Sequence, residues 1–441
     1  MAASRIPSCS KSSPRAVWAR RSRPPTLIDP ASPTRDHEPE AVHVVGAETD
    51  TPWKGRFDSS LMRTMGMPLR CLVRGEGAWV WDDEGTKYLD FLAGIAVNSL
   101  GHAHPVFVEA VSKQAGTLAH VSNYFSTPPQ LELAERLKRI TGAGDAGRAY
   151  FCNSGAEANE AAFKLARLNS TDRRTTIVAL TNAFHGRTMG ALALTGKPAM
   201  REPFEPMPGG VVHIDSTIEA LEATIDDTVA AVFIEPIKGE AGVVDLPPGF
   251  LVRARELTAE HGALLIIDEI QTGVGRTGAW FAYMNAGIVP DAVTIAKGMA
   301  GGFPIGSLVT FGWASDLFQR GQHGSTFGGN PLATATANAV LDHIETAGLV
   351  ENAVLRGGQI RAVLSEIDTD LIDEVRGHGL LIGVGLREPV AAQLSDAALA
   401  HGLIINAAND SSLRLAPPLI IGDEEVREFG NRIRAAFATL S

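Results

Sequence analysis

The sequence predicts an α/β fold: a large domain built on a mostly parallel β-sheet, with a smaller α+β domain beside it. Short apolar runs alternate with helical patterns through the middle of the chain, as in RAYFCNS, TTIVAL, AAVFIEPI and ALLIIDEI. Apolar strands that alternate with helices indicate a parallel sheet that is covered on both faces. The length of 441 residues also exceeds that of one simple core, so a second domain is expected.

Changes of pattern divide the chain into four segments. Residues 121–335 carry the alternation of strands and helices and form the predicted large domain. Residues 336–441 combine a helix (ATANAVLDHIE), several short strands and a charged last helix, which is typical of an α+β domain. We expect residues 56–120 to be the N-terminal part of this small domain, and residues 1–55 to lie outside both.

The first 55 residues resemble a transit peptide in composition, because the first 27 contain six basic residues and no acidic one. A disordered extension and a start codon assigned too far upstream fit the same composition. Arginine outnumbers lysine throughout the chain, so part of this signal is background. We therefore expect a disordered or non-native extension, and the fold prediction rests on the remaining residues.

Charge, hydropathy and cysteine content exclude several classes of protein. The formal net charge is −11, whereas a nucleic-acid partner requires a basic surface. No run of 18 apolar residues is present, so no membrane span is expected. Cys9, Cys71 and Cys152 lie outside CxxC and Cys/His clusters, which predicts neither a metal site nor a disulfide. These features favour a cytoplasmic enzyme that acts on small molecules.

Lys297 is the first candidate for chemistry. It directly follows the apolar run DAVTIA and precedes two glycines, Gly301 and Gly302. A lysine at the end of such a strand lies at the sheet edge where open α/β sheets bind ligands. It can form a Schiff base if its surroundings lower its pKa. A strand-end lysine is more often a solvated surface group, so the prediction depends on its neighbours.

Asp268 supplies the first such neighbour. It ends the strongly apolar run ALLII, 29 residues before Lys297. A carboxylate at that position is unfavourable unless it meets a cation, and the protonated ring nitrogen of a pyridine cofactor is one. The alternative is a structural aspartate that caps a turn. The presence of Lys297 one strand further along favours the cofactor.

Two loops offer phosphate contacts. Asn153 to Ala156 form a turn of small residues before a helical pattern, and N–H groups at the start of a helix bind phosphate. Ser325 and Thr326 lie in the glycine-bounded loop HGSTFGGNP, which predicts either a plain turn or a second phosphate contact from a neighbouring subunit.

The segment AFHGRT offers a flat ring and a cation. Phe184 could lie against an aromatic cofactor, and Arg187 could pair with a substrate carboxylate. A single phenylalanine is usually part of the core, and a single arginine usually lies on the surface. His185, between them, is expected to be a hydrogen-bonded structural histidine rather than a base.

Taken together, these motifs resemble the class III (subgroup II) aminotransferases, which have the type I fold of transferases that depend on pyridoxal phosphate (PLP). The resemblance covers the chain from about residue 60 onward and includes FIEPIKGEAGV, LLIIDEIQTGVGRTG and TIAKGMAGGFPIG. Within the family, GIAVNSLGHAHP and LRLAPPLII are most similar to the acetylornithine aminotransferases of arginine biosynthesis.

The resemblance implies a role for each matching position. Lys297 would hold the cofactor as a Schiff base and move the proton, and Asp268 would pair with the ring nitrogen. Arg187 would bind a substrate carboxylate. Glu240 and Arg414 would form a switchable pair in which Arg414 becomes free for the α-carboxylate of 2-oxoglutarate. Further contacts are implied for Ser154, Gly155, Ala156, Phe184, Glu269, Ile270, Gln271 and Thr326 with the cofactor, and for Ser325 with the substrate.

Two positions depart from the family pattern. Ile270 stands where valine is common, which adds one methylene against the ring and should be tolerated. Lys238 stands where glutamine is frequent, and it is expected to place a charge near Glu240 and Arg414.

The implied reaction transfers the ω-amino group of N-acetylornithine to 2-oxoglutarate and yields N-acetylglutamate semialdehyde and glutamate. The resemblance also implies a homodimer with shared active sites. Sibling enzymes that act on ornithine, succinylornithine, succinyldiaminopimelate or 4-aminobutyrate share most of these motifs, so each of these donors is an alternative. A binding or regulatory module on the same fold is a third possibility, against which the intact Lys297 and Asp268 argue.

Overall fold

The structure is a computed structural model that describes residues 53–171 and 173–440. The predicted extension over residues 1–55 lies outside the described residues except for its last three. The described residues divide into two units, one that ends at Met67 and one that begins at Pro68. In the first unit, the described part contains helix α1 (Trp53–Ser60) and an ion pair of 3.2 Å between Arg63 and Asp58.

The second unit contains the remaining helices and all the strands of the described residues. The helices are α2 (Ala93–Ala96), α3 (Pro105–Ala115), α4 (Pro128–Ile140), α5 (Gly155–Leu168), α6 (Met189–Leu194), α7 (Pro198–Arg201), α8 (Ile218–Thr224), α9 (Phe250–His261), α10 (Pro331–Thr346), α11 (Leu349–Ser365), α12 (Ala391–Ala400) and α13 (Asp423–Leu440). The strands are β1 (Leu72–Glu76), β2 (Trp79–Asp82), β3 (Lys87–Asp90), β4 (Arg148–Cys152), β5 (Thr176–Leu180), β6 (Val211–Ile214), β7 (Val229–Ile234), β8 (Ile237–Lys238), β9 (Val244–Asp245), β10 (Leu264–Asp268), β11 (Ala292–Ile295), β12 (Gly306–Thr310), β13 (Ile372–His378), β14 (Leu381–Leu386), β15 (Leu403–Ile404), β16 (Asn406–Asn409) and β17 (Ser412–Leu415).

A seven-stranded sheet forms the centre of this unit, in the order β4-β12-β11-β10-β7-β5-β6. Every residue of β7 and β10 is buried, because helices such as α5 and α9 cover the two faces. The apolar runs VAAVFI and LLII therefore lack the alternation of a half-exposed strand. The predicted α/β fold with a mostly parallel sheet is confirmed.

Strand β12 is antiparallel to both of its neighbours, β11 and β4. The connection from β11 to β12 consists of residues 296–305, which is shorter than the dozen or more residues that a parallel crossover needs. Gly301 and Gly302 adopt positive φ angles of 58° and 122° in this connection. The chain therefore turns back sharply after Lys297 and runs antiparallel beside β11.

Smaller sheets flank the large one. Strands β1, β2, β3 and β15 form one, and β13, β14, β17 and β16 form another. In the first of these, β15 from the C-terminal part of the chain pairs in parallel with β3. The predicted boundaries at residues 120 and 335 fall within a single compact unit, so the division into a large and a small domain stays a prediction. Among the described helices, none is long and apolar enough to cross a bilayer.

Candidate active site

A cavity of about 430 Å³ lies at the sheet edge where β10 and β11 end. Because the carboxyl ends of parallel strands meet at one edge, residues distant in sequence converge there. Ten of the fourteen predicted site residues line this cavity: Ser154, Gly155, Ala156, Phe184, Arg187, Glu240, Asp268, Ile270, Gln271 and Lys297.

Lys297 begins the sharp turn after β11 and has a φ angle of 44°, a strained conformation for a residue other than glycine. The hydroxyl of Ser99 donates to the carbonyl of Gly298 at 2.8 Å and supports the turn. We orient the Gln271 amide so that its oxygen faces the Lys297 amine, 2.8 Å away. Burial lowers the pKa of Lys297 to about 8, and the charge of Arg414 acts in the same direction. The amine therefore loses its proton more readily near neutral pH than an ordinary lysine does.

Asp268 is buried and accepts three hydrogen bonds. Its Oδ2 lies 2.7 Å from Asn159 Nδ2 and 2.7 Å from His185 Nδ1. Its Oδ1 accepts from the N–H of Ile270 at 3.0 Å. These donors satisfy a carboxylate that would otherwise be unfavourable in the protein interior.

His185 and Glu235 form the buried surroundings of Asp268. Burial opposes a charge on His185, but the hydrogen bond and the charge of Asp268 outweigh it and raise the pKa of His185. Burial raises the pKa of Glu235 to about 7, and its carboxylate accepts from the N–H of Phe184 at 2.9 Å. As predicted for His185, the imidazole is hydrogen-bonded, and the structure adds that its partner is Asp268.

The turn after β4 presents the start of α5 to the cavity. Ser154 caps the helix, because its Oγ accepts from the N–H of Glu157 at 3.2 Å. A Cβ atom on Gly155 would lie 2.8 Å from Cδ1 of Ile270, so a larger residue there would have to displace the Ile270 side chain. The 14-residue helix directs its N-terminal N–H groups at the cavity, an arrangement that suits an anion such as phosphate.

Phe184 and Arg187 lie on the segment before α6. The Arg187 guanidinium is 5.8 Å from the centre of the Phe184 ring and is exposed. Glu160 fixes this segment, because its carboxylate accepts from the N–H groups of Gly190 and Ala191 at 3.1 and 2.9 Å. Arg187 lines the cavity and its guanidinium is exposed, so it is suited to bind a substrate carboxylate.

Arg414 and Glu240 form an ion pair of 2.5 Å between Nη1 and Oε1. The Arg414 side chain is only 1% exposed, whereas that of Glu240 is 25% exposed. Burial raises the pKa of Glu240, but the charge and hydrogen bond of Arg414 outweigh burial and lower it. Arg414 does not itself line the cavity; it reaches the lining through Glu240 and through the Gln271 oxygen, 3.3 Å away.

Lys238 does not approach this ion pair. Its Nζ donates to Ser216 Oγ at 2.9 Å, and burial lowers its pKa. The cation that does reach the segment is Lys197, whose Nζ donates to the carbonyl of Glu240 at 2.8 Å. The expectation that Lys238 places a charge near Glu240 is therefore wrong. Lys197, which the sequence analysis did not consider, occupies that position instead.

Three further predicted residues stand apart from the cavity. The carboxylate of Glu269 is directed into the core, where it accepts from the N–H of Tyr283 at 2.8 Å, and burial raises its pKa to about 7. Ser325 Oγ lies 3.3 Å from Asn153 Nδ2, which lines the cavity. Thr326 is exposed on the following loop position. Within one chain, Glu269 and Thr326 thus have no direct contact with the cavity.

The residues present fit the cofactor implied by the family resemblance. An amine, a buried carboxylate and a helix N-terminus converge on one cavity that also has an aromatic and an aliphatic side chain. His185 Nε2 and Asn159 Oδ1 are buried without a hydrogen-bond partner, so the surroundings of Asp268 retain unused polar groups. Within residues 53–171 and 173–440, no group of three or more His, Cys, Asp or Glu side chains is placed to hold a metal ion.

Asn159 and Glu235 were missed by the sequence analysis. Asn159 is fully buried on α5 and donates to both Asp268 and the His185 carbonyl, each at 2.7 Å. A lone asparagine among alanines in a buried helix pattern (EANEAAF) was the available signal, since such a residue needs partners. Glu235 directly follows the apolar strand β7, much as Asp268 ends β10. A carboxylate at such a position is unfavourable unless it has a partner, so the sequence carried a signal for Glu235 too.

Comparison with known proteins supports this description. A model of the class-III aminotransferase family matches residues 61–437. An acetylornithine aminotransferase of Streptomyces coelicolor is 52% identical over 376 residues, which are 85% of this chain and 92% of that protein.

Two solved structures extend the comparison. N-acetylornithine aminotransferase from Stenotrophomonas maltophilia superposes with a TM-score of 0.74 at 38% identity, covering 84% of this chain and 96% of that one. An ornithine aminotransferase from Toxoplasma gondii, with partial occupancy of PLP at its active site, superposes with a TM-score of 0.83 at 32% identity, covering 87% and 93%. With a matching family model over most of its length and relatives at about half identity, the chain belongs to the class-III aminotransferases.

Proposed function

We propose that the protein transfers the ω-amino group of N-acetylornithine to 2-oxoglutarate with PLP as its cofactor. The observation that carries this proposal is the convergence of the Lys297 amine and the Asp268 carboxylate on one cavity at the sheet edge. N-acetylornithine is favoured over the sibling donors because the relative at 52% identity is an acetylornithine aminotransferase.

When bound, PLP supplies an electron sink for the carbon that gains or loses the amino group. Asp268 would keep the ring nitrogen protonated, since Asn159, His185 and the Ile270 N–H hold its carboxylate in place. Ser154, Gly155 and Ala156 would hold the phosphate at the start of α5. Phe184 and Ile270 would contact the ring, and Gln271 its hydroxyl. The position of Glu269 gives it a supporting role from the core rather than a contact.

Lys297 would hold the cofactor covalently and, when released, carry a proton to and from the substrate carbon. This task requires an amine that is neutral for part of the time near neutral pH. The lowered pKa of about 8 meets the requirement. Within the described residues, no other lysine lines the cavity.

The two substrates present different ends to the same site. While Glu240 is paired with Arg414, the cation is masked and the site accepts an ω-amino group. When Glu240 turns away, Arg414 is free to bind the α-carboxylate of 2-oxoglutarate or glutamate. Arg187, exposed beside the cavity, would take the other carboxylate.

The protein is further proposed to act as a homodimer in which Thr326 contacts the phosphate in the partner's site. Tyr124, Phe125 and Phe327 are 93%, 68% and 60% exposed, and Asn123 links the loop of Phe327 to that of Tyr124 through hydrogen bonds to Ser325 O and Gly328 O. Exposed aromatic residues beside a loop with a predicted cofactor contact are typical of an interface.

Mixing two inactive or impaired variants tests the shared site. In a mixed dimer of Lys297→Ala and Thr326→Ala subunits, one site is assembled from an intact Lys297 and an intact Thr326 only if the two residues come from different chains. We expect the mixed dimer to bind PLP at that site as tightly as the unmutated protein. If the mixed dimer bound PLP no more tightly than the Thr326→Ala protein does, the shared site would be contradicted.

A donor panel at fixed 2-oxoglutarate tests the reaction itself. Initial rates with N-acetylornithine should exceed those with ornithine, succinylornithine, succinyldiaminopimelate and 4-aminobutyrate. Equal or faster turnover of unacetylated ornithine would overturn the proposed donor. The cytoplasmic location is proposed on the acidic net charge and the scattered cysteines, and fractionation of cell extracts checks it.

A further inference from the structure

The turn at residues 239–243, here called the Glu240 turn, is held by side chains from three other parts of the chain. Lys197 precedes α7, Asn409 ends β16, and Arg376 lies on β13. Each donates hydrogen bonds to backbone carbonyls of the turn. The bonds are Lys197 Nζ to Glu240 O (2.8 Å), Asn409 Nδ2 to Ala241 O (2.8 Å), and Arg376 Nε to Gly242 O (2.9 Å) and Val243 O (3.1 Å).

Arg376 also joins this turn to the strand that carries Arg414. Its Nη2 donates to Ser412 Oγ at 2.7 Å, and its Nη1 pairs with Glu374 at 2.5 Å. Ser412 and Arg414 lie on the same strand, β17. The planar guanidinium, which has donors in a fixed fork, thus connects the turn that carries Glu240 to the strand that carries Arg414.

Two glycines, Gly239 and Gly383, let the Glu240 turn pack directly against its neighbours. Gly383 pairs with Arg414 in the sheet, and a Cβ atom on it would lie 2.4 Å from the carbonyl oxygen of Gly242. A Cβ atom on Gly239 would lie 1.8 Å from the side-chain amide of Gln271. The turn therefore has little room to shift, and it presents the Glu240 carboxylate to Arg414 from one position.

We propose that Arg376 is a positioning residue that holds the Glu240 turn and so sets how strongly Glu240 masks Arg414. In this way Arg376 sets the preference between two kinds of amino donor. The ω-amino donors need Arg414 paired with Glu240, whereas glutamate needs Arg414 free. The inference rests on the proposed function of the Glu240–Arg414 pair. The hydrogen bonds of Arg376 go to the turn, to Ser412 and to Glu374, so its influence on substrates passes through Glu240.

Single-turnover measurements on the PLP-loaded enzyme test the proposal, with an ω-amino donor in one half-reaction and L-glutamate in the other. We expect Arg376→Gln to lower kcat/KM for the ω-amino donor by about tenfold, equivalent to about 1.4 kcal/mol, and to change kcat/KM for L-glutamate by less than about threefold. Arg376→Lys, which keeps a cation with fewer donors, should lie between Arg376→Gln and the unmutated enzyme.

Three further variants separate positioning from general damage. In a Glu240→Gln background, Arg376→Gln should not change the ratio of the two half-reactions further, because the coupled residue is already altered. Arg387→Gln is the matched control, since it removes an exposed ion pair with Asp373 (2.8 Å) that lies outside the Glu240 turn; it should leave the ratio unchanged. If Arg376→Gln does not fold, Asn409→Ala removes another bond to the turn from an exposed residue and should shift the ratio the same way.

Equal losses in both half-reactions, or a shift that persists in the Glu240→Gln background, would overturn the proposal. The ratio can be measured with any ω-amino donor that the unmutated enzyme uses. Failure of N-acetylornithine as a donor would therefore count against the proposed function and leave the role of Arg376 open to the same test.

Discussion

Replacing Asp268 by asparagine tests the central carboxylate, because the exchange preserves its shape and removes its charge. All three neighbours of Asp268 donate hydrogen bonds: Asn159 and His185 to Oδ2, and the Ile270 N–H to Oδ1. The amide nitrogen of an asparagine would face at least one of these donors in either orientation. The Asp268→Asn variant therefore loses a hydrogen bond to a charged group, which contributes about 1.5–3 kcal/mol.

The same loss has a kinetic consequence if the carboxylate stabilises the transition state through the cofactor ring. A change of about 1.5–3 kcal/mol in the activation free energy lowers kcat by about tenfold to about 150-fold. The assay is the initial rate at saturating PLP, with the visible absorbance of the bound cofactor used to normalise for occupancy. Thermal unfolding of the cofactor-free protein reports the accompanying change in stability.

Asp291→Asn is the matched control. Asp291 is also a buried aspartate, but it lies before β11, at the opposite end of the strand from Lys297. It accepts from Arg255 at 2.7 Å and from the Leu265 N–H at 2.8 Å. We expect Asp291→Asn to lower the thermal midpoint and to leave the rate per bound cofactor unchanged. An Asp268→Asn rate within about threefold of the unmutated enzyme, or an equal loss in Asp291→Asn, would refute the reasoning.

Three other predictions concern ionisable groups of the buried site. Lys297→Ala should abolish turnover, and residual activity within about tenfold of the unmutated enzyme would contradict its role. The rate of PLP attachment to the cofactor-free protein should rise with pH to a midpoint near 8, and Arg414→Gln should move that midpoint upward because a neighbouring positive charge is removed. Since the pKa of Glu269 is raised to about 7, the folded state binds more protons than the unfolded state from about pH 4.5 to 7, so stability falls over this range as pH rises. Glu269→Gln should flatten the pH dependence of the thermal midpoint there.

The sequence predicted β7, β10 and β11, because each is a short, mostly apolar run that is buried throughout. It did not predict β6 or β12. Strand β6 lies at the edge of the sheet and has only four residues, one of which is buried. Strand β12 begins with glycine, and its antiparallel direction follows from a connection length that becomes evident only when both strand ends are known.

The residues nearest the chemistry were predictable because each stands at the end of a strand or in a turn before a helix. Supporting residues were not, because their partners lie far away in sequence. Asn159 and Asp268 are 109 residues apart, and nothing local to either position indicates the contact. Lys238, which stands where the family often has glutamine, was expected to place a charge near Glu240, but its side chain packs toward Ser216 on a different loop. Orientation of a side chain in a short hairpin is decided by tertiary packing, which a linear pattern does not contain.

The residues that line the cavity come from distant parts of the chain, so the site forms only when long-range contacts have formed. Its lining runs from Val97 to Ile305, and Arg414 supports it from near the end of the chain. Helices form from local contacts, whereas contacts between distant residues require the closure of long loops and form slowly. During refolding from denaturant, helical signal should therefore recover before the capacity to bind PLP. Cofactor binding would then report the last step of assembly, and a chain released before Arg414 is synthesised would lack a complete site.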